Sequence, residues 1–218
     1  MSESQLGSEE VKTIESPSPS STTSGQATSS EEQPSSRAKG DSRVHRTAAQ
    51  VVLLGAFGLD MLLYSLVIPF LPGEAQGLGA SPLVTGALFA MYAAGIFAAT
   101  PLAAWFTDHL GPRRTLLWGL LALAASTLLF AFSPTLALGL PGLFVARASQ
   151  GIASALAWTA GLAVLVQLYS AEERPRLFAR AFTVTGLAVL IGPPLGGALY
   201  TLGGFTLPFM VATGLVVL

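Results

Sequence analysis

Long apolar segments follow one another along most of this chain, and short polar connections separate them. A helix needs about 20 apolar residues to cross a hydrocarbon core about 30 Å thick. Five of the segments approach or exceed that length, and the last has fourteen residues before the sequence ends. The pattern therefore predicts an all-α integral membrane fold, with helices over residues 48–70, 83–106, 115–132, 141–168, 180–201 and 205–218.

Residues 1–47 have the opposite character. They are rich in Ser, Thr and Pro and carry charges of both signs, with few large apolar side chains. Such a segment buries too little apolar surface to offset the entropy lost on ordering. We expect a disordered tail. It lacks the basic start and apolar core of a secretory signal.

Composition supports the membrane assignment. Only 11% of the 218 residues are charged and 51% are hydrophobic, whereas soluble domains average about 25% charged residues. We expect the lipid bilayer, and not nucleic acid, as the surroundings. The chain has no Cys, which excludes disulfides and thiolate metal sites. No metalloprotease, nucleophile-elbow or phosphate-loop motif is present, so we expect neither an enzyme nor a bound cofactor.

The basic residues fall in alternate connections. Arg and Lys precede the first segment and lie between segments two and three and between four and five. The connections 71–82, 133–140 and 202–204 contain none. Cytoplasmic loops carry the excess of Lys and Arg in membrane proteins. The pattern predicts a cytoplasmic N-terminus in a multi-pass membrane protein. We expect the plasma membrane or the vacuolar membrane, between which the sequence does not distinguish.

One carboxylate, Asp60, lies inside the first apolar segment. Twelve residues of helix place it roughly 18 Å along the segment, near the middle of the bilayer. A charge at that depth costs about 3 kcal/mol or more and usually faces a partner or a water-filled path. We therefore predict that Asp60 binds a proton or substrate; the alternative is a residue tolerated through helix tilt or protonation.

Arg147, followed by Gln150 and Gly151, is the charge inside the fourth segment. Counted along the helices, its depth resembles that of Asp60. We predict that Asp60 and Arg147 pair and that protonation of Asp60 releases Arg147. The alternative is that Arg147 snorkels to the interface. Trp158 is expected to pack, or else to line the cavity.

Two further clusters of residues are candidates for function. One lies in the connection between segments two and three, and the other lies in segment five. Asp108, Gly111, Arg113 and Arg114 form a turn that is either a conformational latch, through charge-assisted hydrogen bonds, or a plain basic loop. In segment five, Gly192 and Gly196 share a helix face and permit close helix approach. The adjacent residues of this cluster are Pro193, Pro194 and Gly197; the prolines are expected to interrupt the helical hydrogen bonds and bend the segment.

These three clusters resemble the signature motifs of the major facilitator superfamily of secondary transporters. Asp108, Gly111 and Arg113 match its first motif, although Ala104, His109 and Pro112 depart from it. Arg147, Gln150 and Gly151 match the second. The third, which is associated with antiporters, matches at Gly192, Pro193, Gly196 and Gly197.

Segment one from Asp60 to Pro69, with Leu71 and Pro72 after it, resembles the drug:proton antiporters with twelve helices and the vesicular amine transporters. The Ser-rich tail and residues 158–166 resemble fungal members. The resemblance implies proton or cation binding at Asp60, proton transfer involving Arg147, and transport driven by a proton gradient. It also implies that residues 48–218 are the first half of a twelve-helix bundle, with the sixth helix truncated.

We therefore expect a proton-coupled exporter of small amphipathic or cationic compounds. The sequence leaves open a truncated half-transporter or regulatory membrane protein that does not transport, and a nutrient-uptake carrier on the same fold. The missing half would be supplied by further sequence or, less readily, by self-association of two copies.

Overall fold

In the computed structural model, the backbone is described for residues 35–133 and 136–217, and the side chains for residues 46–133 and 136–215. All regular elements of these ranges are helices. They are α1 (Ser35–Leu66), α2 (Leu71–Gly77), α3 (Pro82–Leu110), α4 (Pro112–Phe132), α5 (Gly139–Leu168), α6 (Arg174–Gly203) and α7 (Thr206–Val217).

Each predicted apolar segment is helical. In the described part, α3, α4, α5, α6 and the Arg46–Leu66 portion of α1 are long and apolar enough to cross a membrane. The seventh helix is shorter, with an apolar stretch over Thr206–Leu215. The all-α membrane fold is thus confirmed.

The helix ends differ from the prediction by four residues at the ends of α1 (Leu66) and α3 (Leu110), and by more at two helix starts. The first helix begins at Ser35, so residues 35–47, which we expected to be disordered, are helical. No Pro interrupts the sequence between residues 35 and 66, and good helix formers such as Ala, Arg and Lys occur there. The rest of the predicted tail, residues 1–34, lies outside the described residues. The sixth helix, α6, begins at Arg174 and not at Arg180, because Pro175 suits the first turn of a helix.

Helix α2 was not predicted. It follows Pro69, which is incompatible with continuation of α1, and carries Pro72 in its first turn. Leu71 and Ala75 of this helix are buried in a cluster with Phe70, Phe130 and other residues at one end of the bundle. This short helix therefore closes that end of the core.

Helix α5 is at the centre of the bundle and packs along both α3 and α4, while α1 packs along α6. Glycine permits the closest approaches. A Cβ atom on Gly151 would collide with the backbone of α3 at Tyr92, and one on Gly119 would lie 2.7 Å from the backbone nitrogen of Ala157. Small residues let membrane helices approach backbone to backbone, and this contact sets the rotation of α5.

Polar side chains are buried between two apolar clusters. One cluster surrounds Phe70 and Phe130, and the other surrounds Leu53 and Tyr169 at the opposite end. Between them, α1, α3 and α5 bury their charged and polar residues, including Asp60 and Arg147. Buried charges in a membrane domain mark candidate functional sites.

Candidate functional site

Asp60 of α1 is enclosed by α3 and α5, and only 1% of its surface is exposed. It is fourteen residues after Arg46, the last charged residue before the apolar run of α1, or roughly 21 Å along the helix axis. The carboxylate does not open onto the lipid-facing surface. The alternative that helix tilt accommodates this charge is wrong for this structure, because side chains of two other helices surround the carboxylate. The alternative of protonation stays a prediction.

Hydrogen-bond donors from α3 and α5 converge on this carboxylate. Ser154 Oγ donates to Oδ2 at 2.6 Å, and Trp158 Nε1 donates to the same oxygen at 2.8 Å. The hydroxyl of Tyr92 lies 3.2 Å from Oδ2, 3.3 Å from Oδ1 and 3.0 Å from Ser154 Oγ. Charge-assisted hydrogen bonds of this kind offset part of the cost of burying an ionised carboxylate.

The two carboxylate oxygens differ in what they can still accept. Oδ2 has short bonds from Ser154 and Trp158, whereas Oδ1 has, among the described residues, only the long contact with Tyr92. The single proton of the Tyr92 hydroxyl satisfies one acceptor at a time. Oδ1 is thus the oxygen with lone pairs left to accept a further donor.

Local packing holds these donors in place. Ser154 and Trp158 are four residues apart on α5 and so face the same side. The indole of Trp158 stacks on Phe57 of α1, with ring centroids 4.3 Å apart and planes 16° from parallel. Phe57 precedes Asp60 by three residues, so one face of α1 supplies both the carboxylate and the support for its donor.

Arg147 is fully buried, but it occupies a different environment. Its Nη1 donates to Gln150 Oε1 at 3.4 Å, and Gln150 Nε2 donates to Thr127 Oγ1 at 3.5 Å. Its Nε and Nη2 have no hydrogen-bond partner among the residues that the structure describes. The guanidinium lies near three aromatic rings, which stabilise a cation through their π faces: Tyr64 at 5.9 Å, Phe89 at 5.5 Å and Phe130 at 5.2 Å.

The predicted Asp60–Arg147 ion pair is wrong for this structure, and so is the snorkelling alternative. The carboxylate is at the level of Ser154, which is seven residues, or roughly 10 Å, from Arg147 along α5. Counting residues from assumed helix ends had placed the two charges at one depth. They are connected indirectly, because Tyr64 packs against Tyr92 with centroids 4.8 Å apart and also contacts Arg147.

The turn between α3 and α4 contains the first predicted motif. Gly111 adopts φ +85°, which favours glycine. Asp108, Arg113 and Arg114 are exposed, and no hydrogen bond or ion pair of their side chains occurs within the described part of the chain. The hydroxyl of Thr115 instead ties α4 to α3 by donating to the Phe106 carbonyl at 3.0 Å. In this conformation the latch is not formed, and its role stays a prediction.

The Gly-Pro cluster of α6 lies against α1. Cβ atoms on Gly192 and Gly196 would collide with Ser65 and with the Leu66 carbonyl, so the predicted close approach is confirmed. Ser65 Oγ donates across the contact to Ala188 O at 3.3 Å. A Cβ on Gly197 would only touch Pro69, at 3.9 Å. Helix α6 runs through Pro193 and Pro194 as one element to Gly203.

Sequence reasoning missed Tyr92, Tyr64 and Ser154, and it favoured packing for Trp158. The sequence contains one pattern that could have identified Ser154 and Trp158 as site residues. Residues 147, 151, 154 and 158 recur at helical spacing, which places Ser154 and Trp158 on the face of α5 that carries Arg147. No comparable signal identifies Tyr92, because its position depends on how α3 packs against α5.

A bundle of apolar helices that buries a carboxylate and a guanidinium is typical of integral membrane proteins with an intramembrane ionic site. The family model of the Major Facilitator Superfamily matches residues 53–218, and the chain belongs to that superfamily. Membership groups the chain with proteins that are named as transporters.

Curated relatives agree with this assignment. Over 170 residues the chain is 35% identical to the probable vesicular acetylcholine transporter-B of Danio rerio, covering 74% of this chain and 34% of the relative. It is 34% identical over 171 residues to the MFS-type transporter ppzB of Metarhizium rileyi (76% and 34% covered). It is 32% identical over 179 residues to the synaptic vesicular amine transporter of Homo sapiens (82% and 32%). The chain thus spans about a third of the length of these relatives.

Proposed function

We propose that this protein is a secondary active transporter that exports small amphipathic or cationic compounds in exchange for protons. The observation that carries the proposal is the environment of Asp60. Its carboxylate is buried among three neutral donors, and no cationic side chain of the described residues pairs with it. A buried carboxylate without a counter-cation is suited to receive a proton or an organic ammonium group.

Exchange follows when both ligands use one site. A proton on Oδ1 neutralises Asp60, whereas an ammonium group needs the ionised carboxylate, so the two compete. Binding of one ligand then favours release of the other, which is the requirement for antiport. The printed names of the relatives, which include amine and acetylcholine transporters, support a cationic substrate.

Arg147 and Gln150 would couple this site to the rest of the bundle. The guanidinium is held by aromatic rings and one weak hydrogen bond, so few directional contacts oppose its movement. Tyr64 contacts both Arg147 and Tyr92. A rearrangement of the donors around Asp60 would therefore reach Arg147 through the two tyrosine rings.

The two remaining motifs would serve the conformational change. The close contact of Gly192 and Gly196 with α1 would permit movement of α6 along α1. The exposed side chains of Asp108, Arg113 and Arg114 would bind another part of the transporter. We propose a cytoplasmic N-terminus, from the distribution of basic residues, and a plasma, vacuolar or other vesicular membrane, in keeping with the names of the relatives.

The test is transport by the purified protein in proteoliposomes, with ethidium as a cationic probe and an imposed pH gradient. We expect accumulation that requires the gradient, and abolition of that accumulation by Asp60→Asn without loss of insertion. Glu172→Gln, which removes an exposed carboxylate outside the site, is the matched control. Undiminished accumulation by Asp60→Asn would contradict the role of Asp60. An absence of gradient-driven transport of any cationic probe by the unmodified protein would favour a non-transporting role.

A further inference from the structure

A small cavity lies where α1, α5 and α6 meet, at the opposite end of the bundle from α2. Its volume is about 200 Å³, and its lining consists of Gln50, Tyr169, Glu173, Arg176, Leu177 and Arg180. Two arginines on one side of a cavity suggest an anionic ligand.

The one acidic residue in the lining, Glu173, already forms an ion pair. Glu173 Oε2 accepts from Arg46 Nη2 at 2.7 Å and from the backbone nitrogen of Ser170 at 3.1 Å. Arg46 also packs over the Tyr169 ring at 4.7 Å. This arrangement, which we name the Arg46–Glu173 clasp, forms one wall and leaves Glu173 little capacity to neutralise other cations.

Arg176 and Arg180 have no such partner. They are four residues apart, one turn along α6, and so present their guanidinium groups to the same side. Neither forms a hydrogen bond or ion pair with any described residue, and no aromatic ring covers them in that part of the chain. The cavity therefore carries two uncompensated positive charges.

The cavity is at the level of the membrane boundary. Arg46 is the last charged residue before the apolar run of α1, α5 ends at Leu168 and α6 begins at Arg174, so two helix ends and the polar-to-apolar boundary of α1 lie at the same level. Lipid phosphate groups occupy this depth. Leu177 and the Tyr169 ring add an apolar portion beside the arginines, which suits the glycerol and upper acyl region of a lipid.

We propose that this cavity binds the phosphate group of an anionic phospholipid between Arg176 and Arg180. Two guanidinium groups recognise phosphate oxygens through paired hydrogen bonds, and basic pockets between membrane helices bind anionic head groups. A soluble phosphate offers the same chemistry; the position at the membrane boundary favours the lipid. The proposal is independent of the transport function.

The experiment counts lipids bound to the purified protein by native mass spectrometry from detergent micelles. The probes are dioleoylphosphatidylglycerol, dioleoylphosphatidylcholine and inorganic phosphate. We expect retention of phosphatidylglycerol in preference to phosphatidylcholine, and about a tenfold or greater loss of that retention in Arg176→Gln/Arg180→Gln. Arg113→Gln/Arg114→Gln removes the same charge from exposed positions that do not line the cavity, and it should retain the lipid.

Arg176→Lys/Arg180→Lys controls for misfolding, because it keeps both positive charges. This variant should retain part of the phosphatidylglycerol that the glutamine variant loses. Equal retention of both lipids, or an equal loss in the Arg113/Arg114 variant, would overturn the site. Displacement of phosphatidylglycerol by equimolar inorganic phosphate would overturn the lipid assignment in favour of a soluble phosphate.

Discussion

At the scale of single residues, the central feature is the set of donors around Asp60. Hydrogen bonds to a charged group contribute about 1.5–3 kcal/mol each, so the short bonds from Ser154 and Trp158 together offset much of the cost of a carboxylate at this depth. Arg147 depends instead on aromatic faces. The two buried charges are thus stabilised separately, and each is free to change its state without first breaking an ion pair.

The Trp158 bond is testable by substitution. Trp158→Phe keeps a ring to stack on Phe57 but removes the 2.8 Å donor to Asp60. We expect a loss of about 1–3 kcal/mol in the free energy of unfolding, measured by denaturation in detergent. Trp118→Phe, at an exposed position, should cost far less. In an Asp60→Asn background the cost should shrink, because the charged acceptor is gone; an unchanged cost would mean that the bond contributes nothing.

At the scale of the helices, the contact between α1 and α6 depends on two glycines of α6, which have no side chain to keep the helices apart. Gly192 and Gly196 allow the backbone of α1 at Ser65 and Leu66 to lie directly against α6. Such contacts are stabilised by dispersion, and the Ser65 hydroxyl adds one long hydrogen bond across the interface to Ala188 O. The sequence predicted that this face approaches another helix, but not which one.

Gly196→Ala tests this contact. The added methyl group would collide with the Leu66 carbonyl, so we expect destabilisation by about 1–3 kcal/mol from overpacking. Gly186→Ala is the matched control on the same helix, since nothing lies within 4 Å of the added atom. It should be neutral or stabilising by up to about 1 kcal/mol, because alanine favours helix. Thermal unfolding in detergent measures both, and equal effects would contradict the close contact.

At the scale of the whole molecule, the two ends of the bundle are held together differently. One end is closed by α2 and an aromatic cluster around Phe70, Phe130 and Phe209. The other is held by the Arg46–Glu173 clasp, together with the Tyr169 hydroxyl, which donates to the Arg46 carbonyl at 2.8 Å. Polar contacts near water are more easily broken than a buried aromatic cluster, so the clasp end is expected to open first.

The clasp predicts a dependence on pH. The backbone hydrogen bond from Ser170, together with Arg46, holds the pKa of the exposed Glu173 carboxyl below its ordinary value of about 4.5. A carboxyl group whose pKa is lowered by folding stabilises the folded state at pH values above its ordinary pKa. This stabilisation is lost as the pH falls through the pKa of the folded state. The melting temperature of Glu173→Gln should therefore lie below that of the unmodified protein near neutral pH. The difference should shrink as the pH falls below about 4.5 and disappear once the pH is below the lowered pKa of Glu173.

Glu172→Gln controls for the removal of a neighbouring exposed carboxylate. Its melting temperature should follow that of the unmodified protein across the same pH range. A Glu173→Gln difference that persists at low pH would show that the clasp does not act through the carboxylate charge.

The parts of this molecule predicted from sequence are those decided by local composition. Hydropathy over about 20 residues is sufficient to place each spanning helix, because the bilayer interior admits backbone only when its hydrogen bonds are internal. The same reasoning identified Asp60 and Arg147 as buried charges, since no other charges occur within those segments. The short helix α2 was missed because its seven residues carry too weak a pattern.

The sequence by itself determined the membrane fold, the positions of the buried charges and the glycine face of α6. Only the tertiary structure decided what each charge contacts: Tyr92, Ser154 and Trp158 for Asp60, and three aromatic rings for Arg147. Partners on different helices depend on the rotation and sliding of one helix against another. Backbone contacts at Gly95, Gly119 and Gly151 set the rotation and position of α5 against α3 and α4. A shift of one helical turn, about 5.4 Å, is enough to move a charged side chain away from its partner.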